Sequence, residues 1–161
     1  MIQEAINNDD PEQLRKFINN CWDGETAFYP VNNDNIKDVV KFSVQALGNS
    51  ANLNWIDTSN VTNMSRTFEG SQFNGDISGW DVSNVTDMNS MFFQSQFNGD
   101  ISGWDVSNVK KMSWMFGSST FNGDISRWNV SNVTDMSFMF IFSNFNRDIS
   151  SWNISKVEDM N

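Results

Sequence analysis

The sequence contains no histidine and a single cysteine, Cys21. Without histidine it lacks the commonest general base near neutral pH and the commonest transition-metal ligand. One cysteine rules out an internal disulfide and a cysteine-cluster zinc site. No apolar run approaches the roughly 18 residues that span a bilayer. The opening residues Met1-Ile2-Gln3-Glu4-Ala5 lack the basic-then-apolar pattern of a secretion signal. As written, the chain reads as cytosolic or as a piece of something longer. Basic residues are scarce as well, 10 against 20 acids, for a net charge of −10. Residues 1–52 carry 8 acids and 4 bases, and residues 53–161 carry 12 and 6. Neither part sets aside a basic block for phosphate, which argues against nucleic acid and anionic membrane as partners.

What the chain has in quantity is apolar and aromatic side chains, 39% and 14% of its residues. That density can bury enough surface to offset chain entropy, so a disordered acidic tail is excluded. These residues recur at a fixed step of 24 positions. Tryptophan occupies 80, 104, 128 and 152; valine 61, 85, 109, 133 and 157; methionine 64, 88, 112, 136 and 160. Phenylalanine fills two columns, Phe68 to Phe140 and Phe73 to Phe145, and isoleucine fills a third from Ile77 to Ile149, with Leu53 at its head. One such unit cannot bury its apolar side alone, whereas stacked units can. The sequence therefore predicts an α/β repeat solenoid over residues 53–161, about four and a half coils long, with like side chains forming core ladders.

Within a unit, Trp80 and Val82 alternate around Asp81, which predicts a very short parallel strand. Val85, Met88, Met91 and Phe92 fall on one face of a short helix, with Ser83 or Asn84 placed to cap it. Asn98-Gly99-Asp100 and its equivalents signal a turn, since glycine adopts positive φ cheaply, although Arg147 in the glycine's place means that the turn does not strictly require it. Each such turn offers one Asp and one Asn, too few oxygens for calcium, so it reads as structural and no metal or other cofactor is assigned.

Residues 1–52 stand outside the repeat and predict an N-terminal helical cap. Asp10-Pro11-Glu12-Gln13 is a helix start, and Leu14, Phe17, Ile18, Cys21 and Trp22 give that helix one apolar face, ended by Asp23-Gly24. Cys21 on that face reads as a buried, inert thiol. A loop through Pro30 leads to a second helix over 34–47, stopped at Gly48. At the other end no cap is visible. Trp152, Ile154, Val157 and Met160 are expected to form an apolar edge, which suggests self-association of copies through that end.

The segments Trp80-Asp81-Val82-Ser83-Asn84-Val85-Thr86-Asp87-Met88 and Trp128-Asn129-Val130-Ser131-Asn132-Val133-Thr134-Asp135-Met136 resemble the repeat of BspA-type bacterial leucine-rich-repeat proteins, and also that of mycoplasma-type surface lipoproteins. The resemblance covers residues 53–161. It implies leucine-rich-repeat-like coils of strand plus helix, often displayed on cell surfaces and associated with adhesion or protein binding. It carries over no catalytic residue, and the carboxylates recur in every unit without singling out a pair, so no enzymatic activity is expected.

On such a body the strand face is the expected binding surface for a protein or glycan. Its outward column is Asp57, Asp81, Asp105, Asn129 and Asn153, flanked by Trp55 and Arg127. The bland alternative is a solvated face whose charges keep it soluble. Two readings stand for Trp55: an exposed anchor for a partner, or packing against the cap helices.

Overall fold

The computed structural model describes residues 2–22, 24 and 28–160. Three helices come first: α1 (Ile2–Asn7), α2 (Pro11–Cys21) and α3 (Ile36–Leu47). Asp10 caps α2, its Oδ1 accepting from the Gln13 N–H at 3.0 Å, with Pro11 at the first helical position. Gly48, at φ 93°, turns the chain out of α3. Leu14 and Ile18 of α2 and Val39, Val40 and Ala46 of α3 are buried, and the Arg15 Nε donates to the Ala46 carbonyl to tie the two helices together. The side chain of Cys21, and Asp23 at the expected end of α2, lie outside the described residues.

Between α2 and α3 the expected loop through Pro30 holds a two-residue strand. β1 (Tyr29–Pro30) pairs in parallel with β2 (Ile56–Asp57), Tyr29 opposite Ile56 and Pro30 opposite Asp57. The Phe28 and Tyr29 N–H groups donate to the Trp55 carbonyl, and Val31 N–H donates to Asp57 O. A few residues on, Asn33 Oδ1 accepts from the N–H groups of Thr62 and Asn63 at 2.9 and 3.0 Å. In the later units the equivalent N–H of Thr86 and of Lys110 donates to the carbonyl 24 residues earlier, Thr62 and Thr86. Residues 28–33 thus lie on the first coil much as one coil lies on the next.

From residue 52 on, equivalent residues bridge in parallel at the repeat step: Asn52 with Asp76, and Asn63, Asp87, Lys111, Asp135 and Asp159 in series. The Phe rings stack nearly parallel along the series, buried in the earlier coils and half-buried at Phe140 and Phe145. Phe68, Phe92, Phe116 and Phe140 have successive centroids 5.4, 5.6 and 5.9 Å apart, with planes within 6°. Phe73, Phe97, Phe121 and Phe145 make a second column at 6.1 to 6.3 Å. The repeat tryptophans Trp80, Trp104 and Trp128 are buried and Trp152 is half-buried, and in each the polar edge is satisfied: the indole N–H donates to Leu53, Ile77, Ile101 and Ile125 O in turn, at 3.0 to 3.2 Å.

The expected strand-plus-helix content of each unit is corrected. Among the described residues after Asp57 there is no α-helix and no strand longer than a single bridge. The stretch from Met88 to Ser95 is a ribbon of consecutive turns. Its odd members bond locally, Met91 N–H to Met88 O and Phe93 N–H to Ser90 O, while Met88, Ser90, Phe92 and Gln94 donate to carbonyls 111, 113, 115 and 117 of the next coil. Ser90 and Gln94 take positive φ, 56° and 55°, which directs alternate N–H groups out of the coil. A helix this short is costly to nucleate, and here a neighbouring coil offers every second N–H an acceptor. Neither expected cap residue caps: Ser83 Oγ donates to Asp81, and Asn84 Nδ2 donates to Ser59 O one coil back.

The turn glycine is corrected too. Gly75 and Gly99 are not among the glycines of positive φ. A Cβ on Gly75 would sit 2.0 Å from the Ala51 carbonyl oxygen, so close approach of the chain to the first coil excludes a side chain there, whereas one on Gly99 would first meet the Phe97 ring of its own coil, at 2.8 Å.

Two outcomes follow for stability. Phe92→Ala, which removes a ring stacked on both neighbours, should cost about 3–5 kcal/mol in denaturant unfolding. Gly75→Ala should lower the thermal midpoint clearly, whereas Gly103→Ala, where a Cβ meets nothing within 4 Å, should leave stability within about 0.5 kcal/mol.

Candidate interaction site

The residues expected to form a binding face separate into two groups. Asp81, Asp105, Asn129 and Asn153 are exposed in one column, Asp57 is half-buried at its head, and Arg127 is exposed beside it. Their side-chain oxygens, however, serve the fold. Each Oδ1 accepts from the N–H of the serine two residues on: Asp57 from Ser59, Asp81 from Ser83, Asp105 from Ser107, Asn129 from Ser131 and Asn153 from Ser155, at 3.0 to 3.2 Å. This is the Asx turn, in which Asp and Asn stand in for a backbone carbonyl. The recurring Asp-x-Ser and Asn-x-Ser spacing was the sequence signal for it.

Trp55 is not part of that surface. It is fully buried, 0% exposed, with ring centroids 6.0 Å from Phe28 and 6.1 Å from Tyr29. The reading of Trp55 as an exposed anchor is therefore corrected: the first coil faces the cap, so the position that is open later in the stack is covered here.

The Asn-Gly-Asp turns use the same chemistry twice. Asn98, Asn122 and Asn146 N–H donate to the Oδ1 of the asparagine 24 residues earlier, at 2.8, 2.8 and 3.1 Å. Asp76, Asp100, Asp124 and Asp148 Oδ1 accept from the N–H groups of Ser78, Ser102, Ser126 and Ser150. Among the described residues no group of three carboxylate, cysteine or histidine side chains is arranged to hold a metal ion.

These bonds set the electrostatics. The Ser102 N–H and hydroxyl hold the Asp100 carboxyl below the usual carboxylate range, against repulsion from Asp124 and Asp76. The Ser107 hydroxyl and N–H do the same for Asp105, the Ser126 pair for Asp124 and the Ser150 pair for Asp148. At Asp76 burial pushes the carboxyl up, but bonds from Ser78 and Asn54 outweigh it and the net direction is down.

The apolar surface is at the far end of the stack. Met136, Phe140, Ile149, Trp152, Ile154 and Met160 line a concavity of about 660 Å³. Ile154 is 40% exposed and Met160 60%, and Trp152 and Val157 are half-buried. Phe142, 87% exposed, lies on the same coil. From Phe138, at the rim, aromatic contacts run back along the side of the stack to Trp114 at 4.7 Å and on to Phe93 at 5.5 Å. Sequence reasoning missed that lateral row, because its columns hold Arg66 and Ser90, or Glu69 and Gly117, in other units.

The family described as Mycoplasma protein of unknown function, DUF285, matches residues 34–140 and 117–161, more than three quarters of the chain. The chain belongs to the DUF285 family. The matched stretch takes in α3 and every coil. No curated protein and no solved structure matches it. The DUF285 description names no activity, so the function of this member has to be argued from its surfaces. No helix among the described residues is long and apolar enough to cross a membrane.

The depressed carboxyls of Asp100, Asp105, Asp124 and Asp148 give this DUF285 protein a defined acid response. Their folded values lie below the unfolded value of about 3.9, so their contribution is complete above that pH and is lost as pH falls through the folded values. The melting temperature should hold from pH 7 to about 5 and fall steeply below about 4. Asp100→Asn with Asp105→Asn keeps the turn, as Asn129 does, but removes the contribution of the charged form, so it should lower the melting temperature modestly at pH 7 and flatten the acid slope. A thermal scan across pH checks both.

Proposed function

We propose that this DUF285 protein is a non-catalytic protein-interaction module: a leucine-rich-repeat-like solenoid, capped by residues 1–52, that engages its partner through the apolar end of the stack. The observation that carries this reading is the concavity at that end, where Trp152, Ile154 and Met160 leave apolar surface accessible. Exposed aromatic and methionine side chains gathered in one concave patch are the composition from which the anchors of protein interfaces are drawn. The outward Asp and Asn column suits recognition less well. Its oxygens are already engaged in turns, and a partner reaching for them competes with the serine donors.

The finer reading is that of a BspA-type surface protein in adhesion. The resemblance of residues 80–88 and 128–136 to that repeat supports it, and display at a cell surface would place the open end within reach of other proteins. Self-association of copies through Trp152, Ile154, Val157 and Met160 is the second reading, supported by the same exposed edge.

Site-specific photo-crosslinking in the cells that make the protein tests the assignment. A crosslinking residue at Ile154 should capture a discrete protein band, and the same residue at Asp105 should capture none. Capture at position 105 alone would move the binding surface to the Asp and Asn column and defeat the proposal. A band of twice the chain's mass at Ile154 would select self-association.

A further inference from the structure

Three turns of the stack carry the dipeptide Asn-Gly: Asn74-Gly75, Asn98-Gly99 and Asn122-Gly123. This pair is especially open to deamidation, because glycine has no Cβ to hinder attack by its own backbone nitrogen. At the middle turn the Gly99 nitrogen would attack Asn98 Cγ. The Cγ–Nδ2 bond breaks, and ammonia leaves with the proton of the attacking nitrogen. Water then adds across a C–N bond of the five-membered imide and opens it to aspartate or isoaspartate. Packing holds the glycines in place, since a Cβ at 75, 99 or 123 would meet the Phe73, Phe97 or Phe121 ring at 2.7 to 2.8 Å.

Most of the reacting atoms are free. The N–H groups of Gly75, Gly99 and Gly123 make no hydrogen bond among the described residues, and neither do the Nδ2 groups of the three asparagines. Asn74 and Asn98 are exposed and Asn122 is half-buried, so burial does not shield them from water. The restraint is on the one atom left. Each Oδ1 accepts from the backbone N–H of the asparagine 24 residues on, at 2.8, 2.8 and 3.1 Å. That bond reaches forward, out of the coil and onto the next. Ring closure needs the carboxamide turned back over its own glycine. One carboxamide cannot do both.

We infer that Asn74, Asn98 and Asn122 are latent deamidation sites, shut while the next coil donates to Oδ1 and released when that coil lifts. The product then seals the opening. Isoaspartate carries the chain through Cγ and adds an atom to the backbone, so the residues beyond it no longer meet their equivalents at the repeat step. A lifted coil that reacts in this way cannot reseat, and the Asn-Gly turns keep a one-way record of coil opening.

Peptide mapping by mass spectrometry tests this, after incubation of the full chain in mildly alkaline buffer with and without denaturing urea. In the folded chain each of the three asparagines should deamidate at least about tenfold more slowly than in urea. Ser50→Gly supplies the comparison, since it places a glycine after Asn49, an exposed residue whose side chain makes no hydrogen bond among the described residues. Asn49 in that variant should deamidate in the folded chain at close to its rate in urea, while the other three stay slow. Circular dichroism checks that the variant is folded, and the parent chain with and without urea decides the matter if it is not. Rates at 74, 98 and 122 that match those in urea overturn the inference. So does an Asn49 as slow as those three, because folding of any kind would then protect and the Oδ1 bond would not.

Discussion

The structure depends on one constraint: each coil must present to the next the same backbone donors and the same ring faces that it receives from the one before. The turn ribbon donates alternate N–H groups to carbonyls 23 residues on, and the Phe, Trp and Asn columns repeat the match with side chains. No single coil has a partner for its own ribbon, so secondary structure and packing form together. A local helix would satisfy its own N–H groups and leave nothing to join one coil to another. Positive φ at Ser90, Gln94, Trp114 and Ser118 is the conformational cost of turning those donors outward, of order 1 kcal/mol each for a residue with a side chain.

Much of this was legible in the sequence, because like residues touch like residues. Trp80, Trp104 and Trp128 recur at one step, and all are buried at one depth with one indole bond. Asp10-Pro11 and Gly48 marked helix ends by local chemistry alone. The turn ribbon was not legible. Apolar residues at Val85, Met88, Met91 and Phe92 have a spacing that a helix and a run of turns share, since both return to one side every three or four residues. What separates them is where the N–H groups go, and the acceptor lies 23 residues away. β1 was hidden for a similar reason, as a two-residue strand ending in Pro30 makes sense only beside β2.

The site divides along the same line. Trp152, Ile154, Val157 and Met160 could be named from the columns because the open end is where a column stops being covered. Trp55 could not be placed, since its column is open in later coils and only the cap closes it here. Asp81 and Asp105 are exposed as their alternation suggested, yet each carboxylate is bound to a serine two residues on. Phe93, Trp114 and Phe138 escaped notice because their columns hold Arg66 and Ser90, or Glu69 and Gly117, in other units; Trp114 meets Phe138 within one column, and Phe93 meets Trp114 across two.

The two ends of the stack are held unequally, and that has a mechanical consequence. The first coil is latched by β1, by Asn33 and by α3, whereas the last is held by a few bonds such as Trp152 Nε1 to Ile125 O and Met136 N–H to Asp159 O. Because contacts reach only adjacent coils, tension applied along the axis is borne by one junction at a time. The chain would therefore peel from Trp152 toward the cap in steps of one coil, lengthening by a fixed increment at each rupture.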